Sequence, residues 1–221
     1  MFRRPSLLFI AFQVFTLSAS AYPGQLGWAK YIWNEIEWTY SGSLNTTGIE
    51  NGGADWNSYV GYRITINPSG FSEDIQISDD EGLPQDVLAQ TQMFSQAYDS
   101  GCYLKYNDSN YYICLNASVA FYAAIQMHPS AITADAAAAG WTVDQDVEVT
   151  TSHEFGHVLD LDDDMGIGTC YSPTIMNYDD PYPSMCNFLG PQQCDVSEML
   201  SAYSTWTVIT WEPAECFGSC N

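Results

Sequence analysis

Residues 150–160 read TTSHEFGHVLD, and the rest of the chain is best interpreted around this stretch. It contains the pattern H-E-x-x-H, which includes two of the three histidines in the chain, His153 and His157. Residues four apart lie on one face of a helix, so both imidazoles point to one place, an arrangement that suits Zn²⁺. Glu154 follows the first histidine and can reach a metal-activated water as general base. The alternative is that two histidines pack on an ordinary helix, but the downstream sequence favours a metal site.

The segments that follow this helix extend the pattern. Residues 160–164 form an acidic run, DLDDD, and residues 174–178 read TIMNY. With these segments the sequence resembles the metzincin superfamily of zinc endopeptidases. The signature of that superfamily is H-E-x-x-H-x-x-G-x-x-H, with Asp in the last place in snapalysin-like members, followed by a Met-turn. The resemblance covers about residues 147–205 well and the earlier chain only loosely.

The resemblance implies a role for each matching residue. His153 and His157 are expected to bind zinc, and Asp163 falls where the third ligand belongs. Met176 is expected to lie beneath the metal, and Tyr178 to assist the metal or the oxyanion. The activity implied is hydrolysis of peptide bonds by a metal-activated water, with the glutamate of the motif as general base.

One residue departs from the signature. The family has glycine where this chain has Asp160, because the helix must end there and turn sharply, often through a left-handed residue. Asp is one of the few other residues that tolerate this conformation, so the turn is expected to survive at some cost. The departure leaves the third ligand open between Asp163, favoured by position, and its neighbours Asp162 and Asp164. The remaining histidine, His128, is expected to be a surface or packing residue.

The same acidic run suggests a calcium loop, since aspartates alternate at positions 160, 162 and 164. That interpretation fails in detail. Met165 stands where the invariant glycine is needed, and Tyr171 stands where the bidentate glutamate should be. The run is therefore not a complete calcium motif, and a Ca²⁺ ion elsewhere stays an open alternative.

The ends of the chain and its charge indicate an exported, soluble protein. Residues 1–21 are expected to form a signal peptide, with two arginines, an apolar segment and an Ala-Ser-Ala cleavage site. Residues 22–221 are expected to form a single domain, in which residues 22–55 hold either the opening strand or a short pro-segment. The chain has 27 acidic and 5 basic residues, and this formal charge of −22 argues against nucleic acid and anionic membranes as partners. The expected partners are protein or peptide substrates, and the expected state is a monomer.

Seven cysteines lie beyond residue 100, and in an exported chain they are expected to form disulfides. Proximity suggests the pairs Cys102–Cys114, Cys186–Cys194 and Cys216–Cys220. Cys170 is then left over, so the odd count implies a free thiol or an intermolecular bond. Sequons for N-glycosylation begin at Asn45, Asn107 and Asn116.

Hydrophobic periodicity outlines the other elements. Strands are predicted over residues 33–40, most clearly from Ile36 on, and over residues 59–66 and 74–77. A hairpin is predicted over residues 102–115, and a strand or an apolar helix over residues 118–127. One helix is predicted from Leu83, with Val87, Thr91, Phe94 and Tyr98 at helical spacing, and another over residues 194–203. Asp144 or Asp146 is predicted to cap the start of the metal-binding helix. The fold class is α+β, a metzincin-like mixed twisted sheet with an active-site helix, a Met-turn and a C-terminal helix.

The sequence therefore predicts a secreted zinc endopeptidase with one catalytic Zn²⁺. The predicted ligands are His153, His157 and Asp163, and the predicted catalytic residues are Glu154 and Tyr178. The alternative is a catalytically inactive, acidic binding protein that is secreted and keeps the metzincin fold.

Overall fold

The structure is a computed structural model of the chain. It describes residues 35–60, 65–69, 74–96, 103–106, 111–114, 119–163, 174–177, 186 and 188–204. The predicted signal peptide, Asp164 and Tyr178 lie outside the described residues.

The described chain contains seven strands and four helices in an α+β arrangement. The strands are β1 Glu35–Ser41, β2 Thr65–Pro68, β3 Ile75–Asp79, β4 Ala89–Gln96, β5 Tyr103–Tyr106, β6 Tyr111–Cys114 and β7 Val119–Met127. The helices are α1 Thr46–Val60, α2 Pro129–Ala139, α3 Val143–Val158 and α4 Gln193–Ser204. None of the helices in this part of the chain has the length and apolar character needed to cross a membrane.

Five strands form one mixed sheet in the order β2-β1-β3-β7-β4. The first four pair in parallel, whereas β4 runs antiparallel to β7 at one edge. Strands β5 and β6 form a separate antiparallel pair, which confirms the predicted hairpin. Residues 119–127 are a strand, which decides between the two predicted alternatives for that segment.

The core lies on one face of the five-stranded sheet. Ile75 and Ile77 of β3 are buried while Gln76 between them is exposed, as expected for a strand with one side towards the core. These side chains join one apolar cluster with Trp56 of α1 and Phe155 of α3. Helices α1 and α3 therefore pack against the same sheet face, and burial of this cluster holds α3 in place.

Helices α1 and α3 approach each other closely because α1 carries small residues at the contact. A side chain on Gly52 would place its Cβ only 3.0 Å from the carbonyl oxygen of Glu148 and 3.0 Å from the amide nitrogen of Ser152. One turn further along α1, the indole of Trp56 donates a hydrogen bond of 2.8 Å to the carbonyl oxygen of Ser152. The position of α3 is thus set by backbone-to-backbone contact and one buried hydrogen bond.

Two predicted elements are wrong. The segment beginning at Leu83 is a loop followed by the strand β4, and not a helix, because eight of its residues pair in register with β7. The predicted strand over residues 59–66 is wrong at its start, because residues 59–60 belong to α1; residues 65–66 belong to β2, and residues 61–64 lie outside the described residues. The helical spacing of Val87, Thr91 and Phe94 does not produce a helix, because pairing with β7 makes residues 89–96 a strand.

One of the disulfide pairs expected from proximity also differs from the structure. Cys186 is disulfide-bonded, whereas Cys194 carries a thiol. The expected pair Cys186–Cys194 is therefore not formed. The pair Cys216–Cys220 and the odd Cys170 lie outside the described residues.

Candidate metal centre

Helix α3 begins with a capping box rather than with an aspartate cap. The side-chain oxygen of Thr142 accepts a hydrogen bond of 3.2 Å from the amide of Gln145, and the Gln145 side chain accepts one of 3.0 Å from the amide of Thr142. The prediction that Asp144 or Asp146 caps the helix is therefore wrong. Both aspartates lie in the first turn, where a negative charge is favourable near the helix N-terminus.

Helix α3 ends at the residue that departs from the metzincin signature. Asp160 has φ of 74° and is the one non-glycine residue with positive φ among those described. The amide of Leu161 donates back to the carbonyl oxygen of Gly156 at 3.0 Å, which closes the helix end. The predicted left-handed turn at Asp160 is confirmed, and it directs the chain back towards the two histidines.

Two backbone carbonyls fix the orientation of both imidazoles. His153 Nδ1 lies 2.8 Å from the carbonyl oxygen of Ile175, and His157 Nδ1 lies 2.9 Å from the carbonyl oxygen of Leu161. A carbonyl oxygen can only accept, so each Nδ1 carries the proton. In a neutral imidazole this leaves Nε2 as the lone-pair nitrogen, which is the form that binds a metal.

The Nε2 atoms and nearby carboxylates form a compact group of donors. His153, Glu154 and His157 each offer one ligand atom within 4.8 Å of the others, so this group could hold a metal ion. Asp163 Oδ1 lies 3.2 Å from His153 Nε2 and 3.5 Å from His157 Nε2. Neighbouring ligand atoms of a tetrahedral zinc site, each about 2.0–2.1 Å from the ion, lie about 3.3–3.4 Å apart. The distances from Asp163 to the two histidines therefore match two edges of such a site.

Asp162, the neighbouring candidate for the third ligand, does not join this group of ligand atoms. Asp162 is exposed, and its Oδ1 accepts a hydrogen bond of 2.9 Å from the amide of Asp163. That hydrogen bond holds the Asp162 carboxylate against the backbone of the next residue. Between these two neighbours, the geometry favours Asp163.

The charges of the group reinforce one another. Burial lowers the pKa of His153, but its hydrogen bond with Asp163 and the negative charge of Glu154 more than offset this and raise the pKa to about 9. Burial raises the pKa of Asp163, yet the hydrogen bond and charge of His153 bring it below its usual value. The site is therefore built to hold positive charge, whether on a proton or on a metal ion.

Glu154 is placed by a residue of the sheet edge. Its side chain is only 4% exposed. Its Oε2 accepts a hydrogen bond of 2.5 Å from the hydroxyl of Thr91 on β4. Thr91 is not among the site residues predicted from the sequence, because its segment was predicted to be a helix. The register of β4 with β7 is what places Thr91 opposite α3.

A tight turn at residues 174–177 packs against helix α3. Met176 is fully buried, and its sulfur would lie 2.2 Å from a Cβ atom placed on Gly156, the residue before His157. The turn thus contacts α3 directly at the histidine pair. The same turn supplies the Ile175 carbonyl that orients His153.

Asp195 of α4 anchors this turn and was also missed. Its fully buried carboxylate accepts hydrogen bonds from the hydroxyl of Thr174, from the amide of Ile175 at 2.9 Å and from the amide of Gln192 at 2.6 Å. Burial raises the pKa of Asp195, although these three hydrogen bonds oppose the rise. In the sequence Asp195 looks like an ordinary acidic residue of a first helical turn, so only its spatial neighbours reveal it.

The third histidine is separate from this site. His128 is completely buried, and its Nδ1 lies 3.1 Å from the carbonyl oxygen of Pro84 and 3.2 Å from that of Val87. It holds the loop before β4 in place, so that of the two predicted roles, surface residue or packing residue, the structure shows packing.

Comparisons with known proteins do not assign a family. No family model matches the sequence, and no curated protein matches it. Among solved structures, the chain is similar to one described as "GM1 bound form of the ECX AB5 holotoxin", with 12% sequence identity and a TM-score of 0.44. That match covers 80% of this chain and 85% of the other. A likeness at this level carries no argument about fold family or function.

Proposed function

We propose that this chain is a secreted, zinc-dependent endopeptidase of the metzincin type. The observation that carries the proposal is the convergence of His153 Nε2, His157 Nε2 and Asp163 Oδ1 at distances of 3.2 and 3.5 Å. These three residues would hold the zinc ion. When bound, zinc supplies Lewis-acid activation of a water molecule and polarisation of a carbonyl group.

The remaining residues supply the proton transfers. Glu154 lies beside the ligand atoms and is proposed to take a proton from the attacking water and to return it to the leaving amine. The resemblance in the TIMNY segment supports Tyr178 as a donor to the developing oxyanion. Burial of Glu154 restricts its side chain and so favours a defined orientation of the carboxylate.

The edge of the sheet offers a place for an extended peptide. Strand β4 is the last strand of the five-stranded sheet, and within the described residues its outer side has no partner strand. An extended chain can pair with such an edge through main-chain hydrogen bonds. Because Thr91 of this strand contacts Glu154, a peptide paired there would lie close to the proposed general base.

Replacement of Glu154 tests the proposal directly. In Glu154→Gln the shape and the hydrogen bond from Thr91 can be retained, so we expect zinc to stay at about one ion per chain. Hydrolysis of casein should fall at least about 100-fold, because the proton acceptor is lost. Zinc is measured by elemental analysis of the purified protein, and hydrolysis is measured with and without a chelator.

Glu148→Gln provides the matched control. Glu148 lies on the same helix, on the side that faces α1. Its Oε2 accepts a hydrogen bond of 2.9 Å from the side-chain amide of Asn51. This variant should keep both zinc and activity. A wild-type protein that lacks zinc, or that cleaves casein equally well in excess chelator, would contradict the proposed function.

A further inference from the structure

We infer that Thr91 is a positioning residue for Glu154, so that the edge strand sets the orientation of the general base. This inference rests on the proposed function. It starts from one contact between two distant parts of the chain, the 2.5 Å hydrogen bond from Thr91 Oγ1 to Glu154 Oε2. The two residues are 63 positions apart in sequence.

The register of the sheet explains why Thr91 faces the helix. Thr91 lies opposite Ile125 of β7, and directly paired residues project their side chains to the same face. Ile125 is fully buried in the core that α3 covers. Thr91 therefore presents its hydroxyl to α3, whereas its neighbours Gln90 and Gln92 are exposed on the other face.

The Thr91 hydroxyl can donate only one hydrogen, and its distances to two oxygens of Glu154 show which of them accepts it. Thr91 Oγ1 lies 2.5 Å from Glu154 Oε2 but 3.4 Å from the main-chain oxygen of Glu154. The carboxylate is the closer acceptor and the charged one, and hydrogen bonds to charged acceptors are the stronger ones. The hydrogen bond is therefore made to Oε2, and this contact restrains rotation of the Glu154 carboxylate.

Threonine is well suited to such a role. Its branched side chain has few rotamers in a strand, so a fixed backbone gives a fixed hydroxyl position. The backbone of β4 is itself fixed by pairing with β7 over eight residues. Loss of this hydroxyl would free the carboxylate to rotate, while the strand edge that would bind a peptide would remain as it is.

Three variants separate this role from a packing role. Thr91→Val removes the hydroxyl and keeps the shape, and Thr91→Ser keeps the hydroxyl and removes the methyl group. Thr150→Val makes the same chemical change on α3, at a buried hydroxyl for which the described residues provide no hydrogen-bond partner. All four proteins, including the wild type, are compared for kcat and KM on one fluorogenic peptide and for zinc content.

We expect Thr91→Val to lower kcat by about 10- to 100-fold with little change in KM, because misplacement of a catalytic group slows the chemical step more than it weakens binding. Thr91→Ser should recover most of kcat, and Thr150→Val should behave like the wild type. Zinc content should be the same in all four proteins. Crystal structures should show the Glu154 carboxylate displaced in Thr91→Val and unmoved in Thr150→Val.

Each other outcome has a definite meaning. If the wild type cleaves the peptide and Thr91→Val has the same kcat, the role of Thr91 is wrong and the proposed function stands. Equal losses in Thr91→Val and Thr91→Ser would also overturn it, because packing rather than the hydroxyl would then be responsible. A wild type that binds zinc and cleaves no peptide would overturn the proposed function, and the positioning role with it.

Discussion

The conformation of Asp160 decides where the chain goes after helix α3. With φ of 74°, this residue turns the chain so that the Leu161 carbonyl meets His157 and Asp163 meets both imidazoles. Its side chain is buried and has interactions of its own. Asp160 therefore combines a backbone role, which glycine could fill, with a side-chain role, which glycine could not.

Comparison of Asp160→Ala with Asp160→Gly isolates the backbone role. Both variants lose the side-chain interactions, but only alanine must place a Cβ in the left-handed conformation. We expect Asp160→Ala to be less stable than Asp160→Gly by about 1 kcal/mol in the free energy of unfolding, measured by urea denaturation. Equal stabilities would show that the turn has relaxed to a different conformation.

At the scale of single residues, the sequence predicted which candidate metal ligands lie together but not the residues that hold them in place. The spacing of His153 and His157 and the tolerance of Asp160 for a left-handed turn followed from local rules. Thr91 and Asp195 could not be found in this way, since each acts on residues far away in the chain, at separations of 63 and 20 or 21 positions. The signal that would reveal such residues is a polar side chain at a core-facing position. It can be recognised only once the strand register and the helix contacts are known.

At the scale of elements, one carboxylate lies where helices α1 and α3 and the segment before α4 come together. Asp55 of α1 lies next to Glu148 of α3 and against Gly190, which precedes α4; its Oδ2 would lie 2.5 Å from a Cβ placed on Gly190. This Oδ2 is buried without a hydrogen-bond partner among the described residues. Burial, with a smaller effect from the charge of Glu148, raises the pKa of Asp55 from 3.8 to about 6.

The raised pKa makes Asp55 a source of instability at neutral pH. Below pH 3.8 the carboxyl group is neutral in both states, whereas above about pH 6 the folded state holds an unfavourable charge. Stability should therefore fall as the pH rises through this window. Asp55→Asn should be more stable than the wild type at pH 7.5 by about 1 kcal/mol, a value reduced because the group is half exposed.

Thermal unfolding of Asp55→Asn and the wild type at pH 4 and pH 7.5 checks this expectation. The difference between the two proteins should be small at pH 4 and clear at pH 7.5. Asp86→Asn, an exposed change in the loop before β4, serves as the control and should not alter stability at pH 7.5. A gain for Asp55→Asn that is the same at both pH values would contradict the role of its charge.

Elements whose identity depends on packing were the ones that the sequence did not predict. Helix α1 contains Gly48, Gly52 and Gly53, which disfavour a helix in isolation, and its stability comes from close contact with α3. The strand β4 has helical spacing in its apolar residues and becomes a strand by pairing with β7. In contrast, α3 and α4 have strong local signals and lie where periodicity predicts them.

At the scale of the whole molecule, the candidate metal centre joins parts that are distant in sequence. It connects α3, the segment that follows this helix and the turn at residues 174–177, and Asp195 connects that turn to α4. Most of these links are hydrogen bonds between a side chain and a backbone atom. An ion held there would bind the folded chain and not the unfolded one, so it should stabilise the molecule as a unit.

Zinc should therefore raise the unfolding temperature of the metal-free protein. At a free zinc concentration 100 times Kd the gain is about 2.7 kcal/mol, which corresponds to about 5–10 °C for a protein of this size. His157→Ala should lose this shift because it removes one ligand atom. With a formal charge of −22, the surface is also expected to attract divalent cations without specificity, so Mg²⁺ at equal concentration measures that general effect. If Mg²⁺ matched the shift, or if His157→Ala retained it in zinc, the stabilisation would come from the acidic surface and not from the site.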